Sequence, residues 1–439
     1  MQETGSHTRD KLPKYRLDSF LVNQLYDSHV HWLNTGDLAL GLNLNTLRNE
    51  DQLRAIELKE EYFRGEWLYG FGWDENKFDL DFELHRATLD RVFPNFPVIF
   101  SRADGHSSWL NSLALQRLGM IDFSLLDKGE LNPSGILRER EHMIGILNLP
   151  PLTHFQIVDR LLVAQEIFLS QGFTHIRDMA SDQRLWNAAR ELENQGKLRL
   201  HVELNFTCED RVDFERALLE FKQVQKTKTP HLKPRGIKLY FDGSLGSGTA
   251  LVGRGPGQGV EGLQLWSHED LVYVLNKTWA IGAEISIHAL GDEAVDRVVR
   301  LCRQVSATGL SGILNLEHVQ VLRNETIQLM KPLHIRCHLQ PCHWLSDRQW
   351  LAQRLKDKIV EAFPWERLRL AQVPICFGSD SPIEKADLFQ NLEAIALSKD
   401  EGIPALSVDP LKFHQYPYQD GCRTISEFAS GKLTQIHWG

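Results

Sequence analysis

The stretch Asp27-Ser28-His29-Val30-His31 ends the first strand-like run of this chain and is its most informative feature. Successive side chains of a β-strand point to opposite faces, so His29 and His31 point the same way and can bind one metal ion together. The chain has 18 histidines, and a single His-x-His pair is a weak signal. The interpretation therefore depends on whether other ligand-type residues occupy comparable places.

Eight short runs predict β-strands, and helical patterns lie between them. The predicted strands are residues 25–31, 173–177, 198–204, 236–241, 283–288, 314–319, 334–340 and 373–378. Helices are predicted over residues 157–170, 271–279 and 294–305, where apolar residues recur near i, i+3 and i+4. Strands that alternate with helices indicate an α/β fold with a parallel sheet. Eight such strands are the number in a closed (β/α)8 TIM barrel, which is the predicted fold.

Four further ligand-type residues lie at or near the carboxyl ends of these strands: Lys238, His288, His318 and Asp380. The carboxyl ends of barrel strands meet at one mouth, where TIM-barrel enzymes have their active sites. Each residue also has an ordinary explanation, because a strand-end lysine is usually solvated and an aspartate after Gly-Ser is often a helix N-cap. Their joint placement predicts a metal site at the mouth.

The composition argues against several classes of function. The 439 residues carry a net charge of −9 and no Lys/Arg-rich run, so neither nucleic acid nor a membrane is an expected partner. The sequence also has no leader-like segment and no apolar run of about 18 residues. Six cysteines without a C-x-x-C pair indicate reduced, buried thiols in a soluble, cytoplasmic protein.

The predicted domains are residues 1–31, an insertion over 32–151, the rest of the barrel over 152–400 and a C-terminal tail over 401–439. The insertion follows strand 1 and contains strand-like runs at 67–74 and 97–104. Insertions at the catalytic rim often form a lid or a substrate wall. The predicted substrate-binding residues are therefore Trp73, Asp74, Asp104 and His106, with a purely structural insertion as the alternative.

From residue 27 to about residue 384 the sequence resembles the amidohydrolase superfamily. Within it the chain is similar to amidohydrolase family 3, which includes N-substituted formamide deformylase and exoenzyme-regulator-like proteins. The matching phrases include Gly70-Phe-Gly-Trp-Asp74, Asp104-Gly-His106, Asp242-Gly-Ser-Leu-Gly-Ser247, His288-Ala-Leu-Gly-Asp292, Glu317-His318, Gln340-Pro341 and Gly378-Ser-Asp-Ser-Pro382. The resemblance implies a metal-dependent amidohydrolase that cleaves a C–N bond of an amide, formamide or cyclic amide in a small-molecule substrate, by attack of metal-bound hydroxide.

The resemblance also implies two divalent metal ions, with zinc as the expected metal. In the family, the strand-1 histidines and the strand-8 aspartate bind one ion and the strand-5 and strand-6 histidines bind the other. The strand-4 lysine, carboxylated on its amine, bridges both ions. Carried across by motif, these ligands are His29, His31, Asp380, His288, His318 and Lys238, which would be N6-carboxylated. Asp380 is also the predicted catalytic base.

Two alternative functions remain open. A mononuclear deaminase-type hydrolase would use His29, His31, His288 and Asp380 and would leave Lys238 a plain amine. A non-catalytic regulatory protein would retain the fold without catalytic metals, although the presence of all six ligand-type residues argues against it.

The two ends of the sequence depart from the family. Only 26 residues precede Asp27, so the small β-sandwich that family members build from their ends is expected to be missing or vestigial. Its loss would expose apolar barrel surface, which favours a homo-oligomer. The alternative is that residues 15–25 and 416–438 cover that surface themselves.

Overall fold

The computed structural model describes residues 19–102, 107–120, 134–253, 259–399, 402–418 and 422–439. The chain divides into two compact units, the first formed by Met1–Leu33 with Ala164–Gly439 and the second by Asn34–Val163. Within the described residues, no helix combines the length and the apolar character needed to cross a membrane.

The strands and helices are numbered in chain order. The strands are β1 Phe20–Asn23, β2 Tyr26–Val30, β3 Leu42–Asn43, β4 Phe63–Arg64, β5 Trp67–Trp73, β6 Val98–Arg102, β7 Ser107–Leu110, β8 Ile136–Arg138, β9 His175–Ser181, β10 His201–Thr207, β11 Leu232–Tyr240, β12 Val252–Gly253, β13 Val260–Glu261, β14 Glu284–Ala289, β15 Leu314–His318, β16 Ile335–Leu339, β17 Ile375–Phe377, β18 Thr424–Ala429 and β19 Lys432–Trp438. The α-helices are α1 Trp32–Leu40, α2 Glu50–Arg54, α3 Arg86–Val92, α4 Ser112–Arg117, α5 Glu139–Leu147, α6 His154–Ser170, α7 Gln183–Asn194, α8 Arg211–Val224, α9 His268–Trp279, α10 Asp292–Ser306, α11 Asn324–Met330, α12 Pro341–Leu355, α13 Trp365–Leu370 and α14 Leu388–Ser398.

The first unit contains a parallel eight-stranded sheet in the order β17-β16-β15-β14-β11-β10-β9-β2. Its two end strands meet, because a parallel bridge joins Val30 to Ser381 and the amide of His31 donates to the carbonyl of Ser381 at 2.7 Å. This closure confirms the predicted (β/α)8 barrel. All eight predicted strands are present, with ends shifted by up to four residues, and the three predicted helices are α6, α9 and α10.

Local sequence explains where these elements begin and which face they bury. Asp182, Asp210 and Ser267 cap the first turns of α7, α8 and α9 by accepting backbone N–H groups. Every residue of β2 and of β15 is buried. This is expected of barrel strands, because side chains on one face of the strand pack inside the barrel and those on the other face pack against the helices.

The second unit has its own sheet, in the order β3-β5-β6-β7-β8, with β4 paired to β5. The strand-like runs predicted at 67–74 and 97–104 correspond to β5 and β6. A buried aromatic cluster that includes Trp73, Phe100 and Trp109 forms part of its core. The use of this insertion as a lid or a substrate wall stays a prediction.

The two ends of the described chain form a small antiparallel sheet in the order β1-β18-β19. Phe428 of β18 packs over Gly172, whose φ is +89° and whose Cβ, if present, would lie 2.7 Å from Phe428 Cζ. The Ser426 hydroxyl donates to the Gly172 carbonyl at 2.6 Å. This sheet stands where the vestigial sandwich was expected and packs against the loop before β9. The oligomeric state stays a prediction.

Candidate functional site

The first and last barrel strands bring together two histidines and one carboxylate. His29 lies in β2, His31 directly follows β2, and Asp380 follows β17. The Nε2 atoms of His29 and His31 lie 3.3 and 3.2 Å from Asp380 Oδ1. The Asp380 amide donates to the His29 carbonyl at 2.8 Å, so barrel closure itself holds these side chains together.

Two neighbouring strands add two more imidazoles. His318 ends β15, and its ring centroid lies 4.7 Å from that of His29 and 4.5 Å from that of His288 on β14. His29, His318 and Asp380 each offer a ligand atom within 4.8 Å of the others. The mouth of the barrel thus gathers these predicted ligands, which are more than 350 residues apart at the extremes.

The Lys238 amine is the least satisfied group of the site. Its Nζ is fully buried and, among the described residues, has no hydrogen-bond partner. It lies 4.3 Å from the centre of the Tyr240 ring. Burial lowers the pKa of Lys238 to about 8, although the carboxylates of Glu317 and Asp380 oppose this shift. The amine therefore loses its proton at a lower pH than an exposed lysine does.

A buried ion pair orients His29 from behind. The Glu317 carboxylate contacts His29 Nδ1 at 2.7 Å and accepts a hydrogen bond from Arg177 Nη1 at 2.9 Å. Burial alone would raise the pKa of Glu317, but the Arg177 guanidinium holds it well below its usual range. The carboxylate therefore fixes the His29 ring so that Nε2 faces Asp380, as partners of metal-binding histidines do.

Two imidazoles of the site, those of His288 and His318, are held neutral. Burial lowers the pKa of His288 to about 3, with a further contribution from Lys238. Burial also holds the pKa of His318 well below its usual range. Metal binding requires deprotonated imidazole nitrogens. Neutral imidazoles, an ionised carboxylate and a buried amine with no hydrogen-bond partner in the described part of the chain are together a donor set that fits divalent metal ions.

Backbone strain coincides with two of these residues. His318 and Asp380 have φ values of +74° and +62°, in the left-handed region that side chains other than glycine rarely adopt. Each such residue costs about 1–3 kcal/mol and persists only where the surrounding structure fixes it. The strain is therefore evidence that these two side chains are positioned for function.

Sequence reasoning missed His343. It lies in the first turn of α12, and its Nε2 atom is 3.4 Å from Asp380 Oδ2. Burial opposes protonation, but Asp380 raises the pKa of His343 overall. The signal was its place three residues after Gln340, at the carboxyl end of the seventh predicted strand.

The predicted substrate-binding residues belong to the second unit. Trp73 is fully buried, and its Nε1 donates to the carbonyl of Phe100 at 2.7 Å. Asp74 forms an ion pair with Arg102 at 3.3 Å. Asp104 and His106 lie outside the described residues. Substrate contact by these four residues stays a prediction.

The geometry at the mouth can now be compared with known proteins. The model of the amidohydrolase family matches residues 25–407. The chain belongs to the amidohydrolase family. This amidohydrolase is 30% identical over 391 residues to YtcJ of Bacillus subtilis (strain 168), named as an amidohydrolase, with 85% of this chain and 72% of YtcJ covered.

Two further relatives extend the comparison. The amidohydrolase is 25% identical over 398 residues to the protein LONG AFTER FAR-RED 3 of Arabidopsis thaliana, with 83% of this chain and 66% of that protein covered. The fold is also similar to the crystal structure of an uncharacterized metal-dependent hydrolase from Pyrococcus furiosus, with a TM-score of 0.71 and 26% sequence identity. The superposition covers 90% of this chain and 79% of the Pyrococcus chain. Family and neighbours thus indicate a hydrolase that depends on a divalent metal and acts on a small molecule.

Proposed function

We propose that this amidohydrolase binds two divalent metal ions, with zinc as the expected metal, and hydrolyses the C–N bond of an amide, formamide or cyclic amide. The observation that carries the proposal is the Lys238 amine, fully buried beside the candidate ligands and without a hydrogen-bond partner among the described residues. Addition of CO2 to the neutral amine would create an anionic carbamate that can bridge two ions. This change would satisfy a group whose burial is otherwise costly.

The residues at the mouth divide into two ligand sets. His29, His31 and Asp380 would hold the first ion, His288 and His318 the second, and the Lys238 carbamate both. When bound, such ions lower the pKa of water and polarise the carbonyl under attack.

Asp380 is the group that this proposal assigns to proton transfer. Burial opposes its ionisation, but His29 holds the pKa of Asp380 well below its usual range. Asp380 can therefore accept the proton of the attacking water and return it to the leaving amine. His343 lies on the opposite side of the same carboxylate, with Nε2 nearest to Oδ2, and would position it.

Replacement of Lys238 tests the proposal. Lys238→Ala should lose at least one of two equivalents of bound zinc and most of its turnover, measured by elemental analysis and by amine release from a panel of N-formyl amines and N-acyl amino acids. Added acetate or propionate should restore part of the turnover, because a free carboxylate can occupy the place of the carbamate. Lys222→Ala changes an exposed lysine and should behave as the wild type.

Full metal content and full turnover in Lys238→Ala would overturn the two-metal proposal. A site for one ion also has support, although with a ligand set different from the expected His29, His31, His288 and Asp380. The ligand atoms that lie within 4.8 Å of one another come from His29, His318 and Asp380. One equivalent of zinc in the active wild type, unchanged by Lys238→Ala, would favour that alternative.

The proposed location is the cytoplasm. All six cysteines lie in the described part of the chain, where none of them forms a disulfide and five are buried. Free thiols are typical of a reducing compartment, which supports this proposal.

A further inference from the structure

The amino-terminal ends of the barrel strands, on the side opposite the mouth, hold a second group of metal-ligand side chains. His175 begins β9 and His201 begins β10, and the two residues are direct partners in the register of these parallel strands. Their rings stack with centroids 4.6 Å apart and planes 13° apart. Neither residue belongs to the ligand sets assigned at the mouth.

The tail of the chain adds a thiol to these histidines. Cys422 Sγ lies 3.1 Å from His201 Nε2. Gln24 holds the backbone next to this thiol at two points. Its side-chain Nε2 donates to the Cys422 carbonyl at 2.9 Å, and its backbone N–H donates to the Thr424 carbonyl at 2.9 Å. The Thr424 and Thr174 hydroxyls are 2.8 Å apart. The thiol is therefore fixed next to the histidines by the fold.

The spacing of the three side chains suits one ion. Each offers one ligand atom, and these atoms all lie within 4.8 Å of one another. Around a tetrahedral zinc ion with sulfur and nitrogen ligands, neighbouring ligand atoms are about 3.3–3.8 Å apart, so small side-chain movements would complete the geometry. His175 Nδ1 lies 3.0 Å from the Thr174 hydroxyl, a contact of the kind that orients the ring of a metal-binding histidine.

We propose that His175, His201 and Cys422 form a second metal site, separate from the catalytic centre, that binds zinc or a similar thiophilic divalent ion. Two imidazoles and a thiolate, without a carboxylate, favour zinc over magnesium or calcium. Binding converts the Cys422 thiol to a thiolate and releases its proton to solvent. Water can take the fourth position. The His231 ring centroid lies 4.9 Å from that of His201.

The site would join the C-terminal tail to the barrel. Cys422 precedes β18, whereas the two histidines begin adjacent barrel strands. His175 is 1% exposed, but His201 and Cys422 are half-buried, so an ion can enter from solvent. The metal would thus stabilise the contact between tail and barrel and would take no part in hydrolysis.

Cobalt substitution tests this site without relying on turnover, because a thiolate bound to Co2+ gives a charge-transfer band in the near ultraviolet. The candidate ligands of the mouth include no sulfur, so the band reports on the base of the barrel alone. We expect the band in the wild type with one equivalent of Co2+ at this site. It should be lost in Cys422→Ser and in His201→Gln, each of which should also bind one zinc equivalent less than the wild type.

His268→Gln replaces an exposed histidine and should keep both the band and the wild-type zinc content. The two site variants are independent, and circular dichroism establishes that each is folded. A wild type without the band, or a Cys422→Ser protein that keeps its full zinc content, would overturn the proposal. Cys422 and His201 would then form only a thiol–imidazole hydrogen bond.

Discussion

The two ends of the barrel both gather histidines, but they hold them in different ways. At the mouth, His318 and Asp380 have left-handed backbone conformations, and a fully buried ion pair between Arg177 and Glu317 supports the site. At the base, His175 and His201 are the first residues of neighbouring strands and follow the ordinary register of the sheet. The mouth therefore combines a strained backbone with buried charge, whereas the two histidines of the base lie on regular strand backbone.

This difference predicts different consequences of mutation. Strained backbone and buried charges cost stability and are retained where function requires them, so changes at the mouth should alter activity, with or without a change in stability. Regular packing contributes to stability alone, so changes at the base should alter unfolding and leave turnover intact. The following experiments test that division.

The largest effect on stability should come from the ion pair behind the mouth. Glu317→Gln keeps the shape of the side chain but leaves the Arg177 guanidinium, 2% exposed, without its ion-pair partner. Removal of one partner of a buried pair costs about 3–5 kcal/mol, and the free energy of unfolding in urea should fall by about this amount. His29 would also lose the carboxylate that orients it.

Glu166→Gln is the matched control. Glu166 pairs with Arg199 on the surface, where the two side chains are 61% and 48% exposed. An exposed pair contributes less than about 1 kcal/mol, so this variant should unfold almost as the wild type does. Equal losses in the two variants would mean that the buried pair has no special role at the mouth.

Asp380→Asn should lower turnover with little effect on unfolding. The amide retains the size of the side chain but cannot accept the proton of the attacking water, so turnover should fall by about 10²-fold or more. Amine release from the same amide panel measures turnover, and circular dichroism measures the fold. Asp357→Asn, at an exposed position, provides the control. Near-normal turnover in Asp380→Asn would show that another group is the base.

The barrel and most of its mouth could be predicted because their signals are local. Short strand-like runs that alternate with helical patterns predicted the strands, and Lys238, His288 and His318 lie within or at the ends of those runs. The strand ends shifted where turns intervened, as at Gly172 before β9. His343 was missed because it lies on a helix, one turn beyond the strand whose end was searched.

The base of the barrel could not be predicted from local patterns. Cys422 and His201 are 221 residues apart, and their contact depends on the pairing of β1 with β18. The sequence before β18 is rich in Pro, Tyr and Gly and predicts no strand, so nothing near Cys422 indicates its partner. The expectation of a buried, inert thiol also fails for this cysteine, which is half-buried and next to an imidazole.

The smallest effect should come from Tyr416, next to the histidines of the base. Its hydroxyl donates to Glu203 Oε1 at 2.9 Å, and the ring centroid lies 4.5 Å from that of His175. Tyr416→Phe removes this hydrogen bond and the one that the hydroxyl accepts from Arg235 Nη2 at 3.1 Å, although the Tyr26 hydroxyl still donates to Glu203 at 2.8 Å. The free energy of unfolding in urea should fall by about 1.5 kcal/mol, while turnover stays unchanged.

Tyr273→Phe makes the same chemical change at the surface, where the hydroxyl donates to Glu215 at 2.6 Å. This control should alter the free energy of unfolding by no more than about 0.5 kcal/mol. Tyr416 has no role in the ligand sets at the mouth. If turnover falls in Tyr416→Phe and does not fall equally in Tyr273→Phe, the base must influence the mouth through the barrel strands. The division between a functional mouth and a structural base would then be wrong.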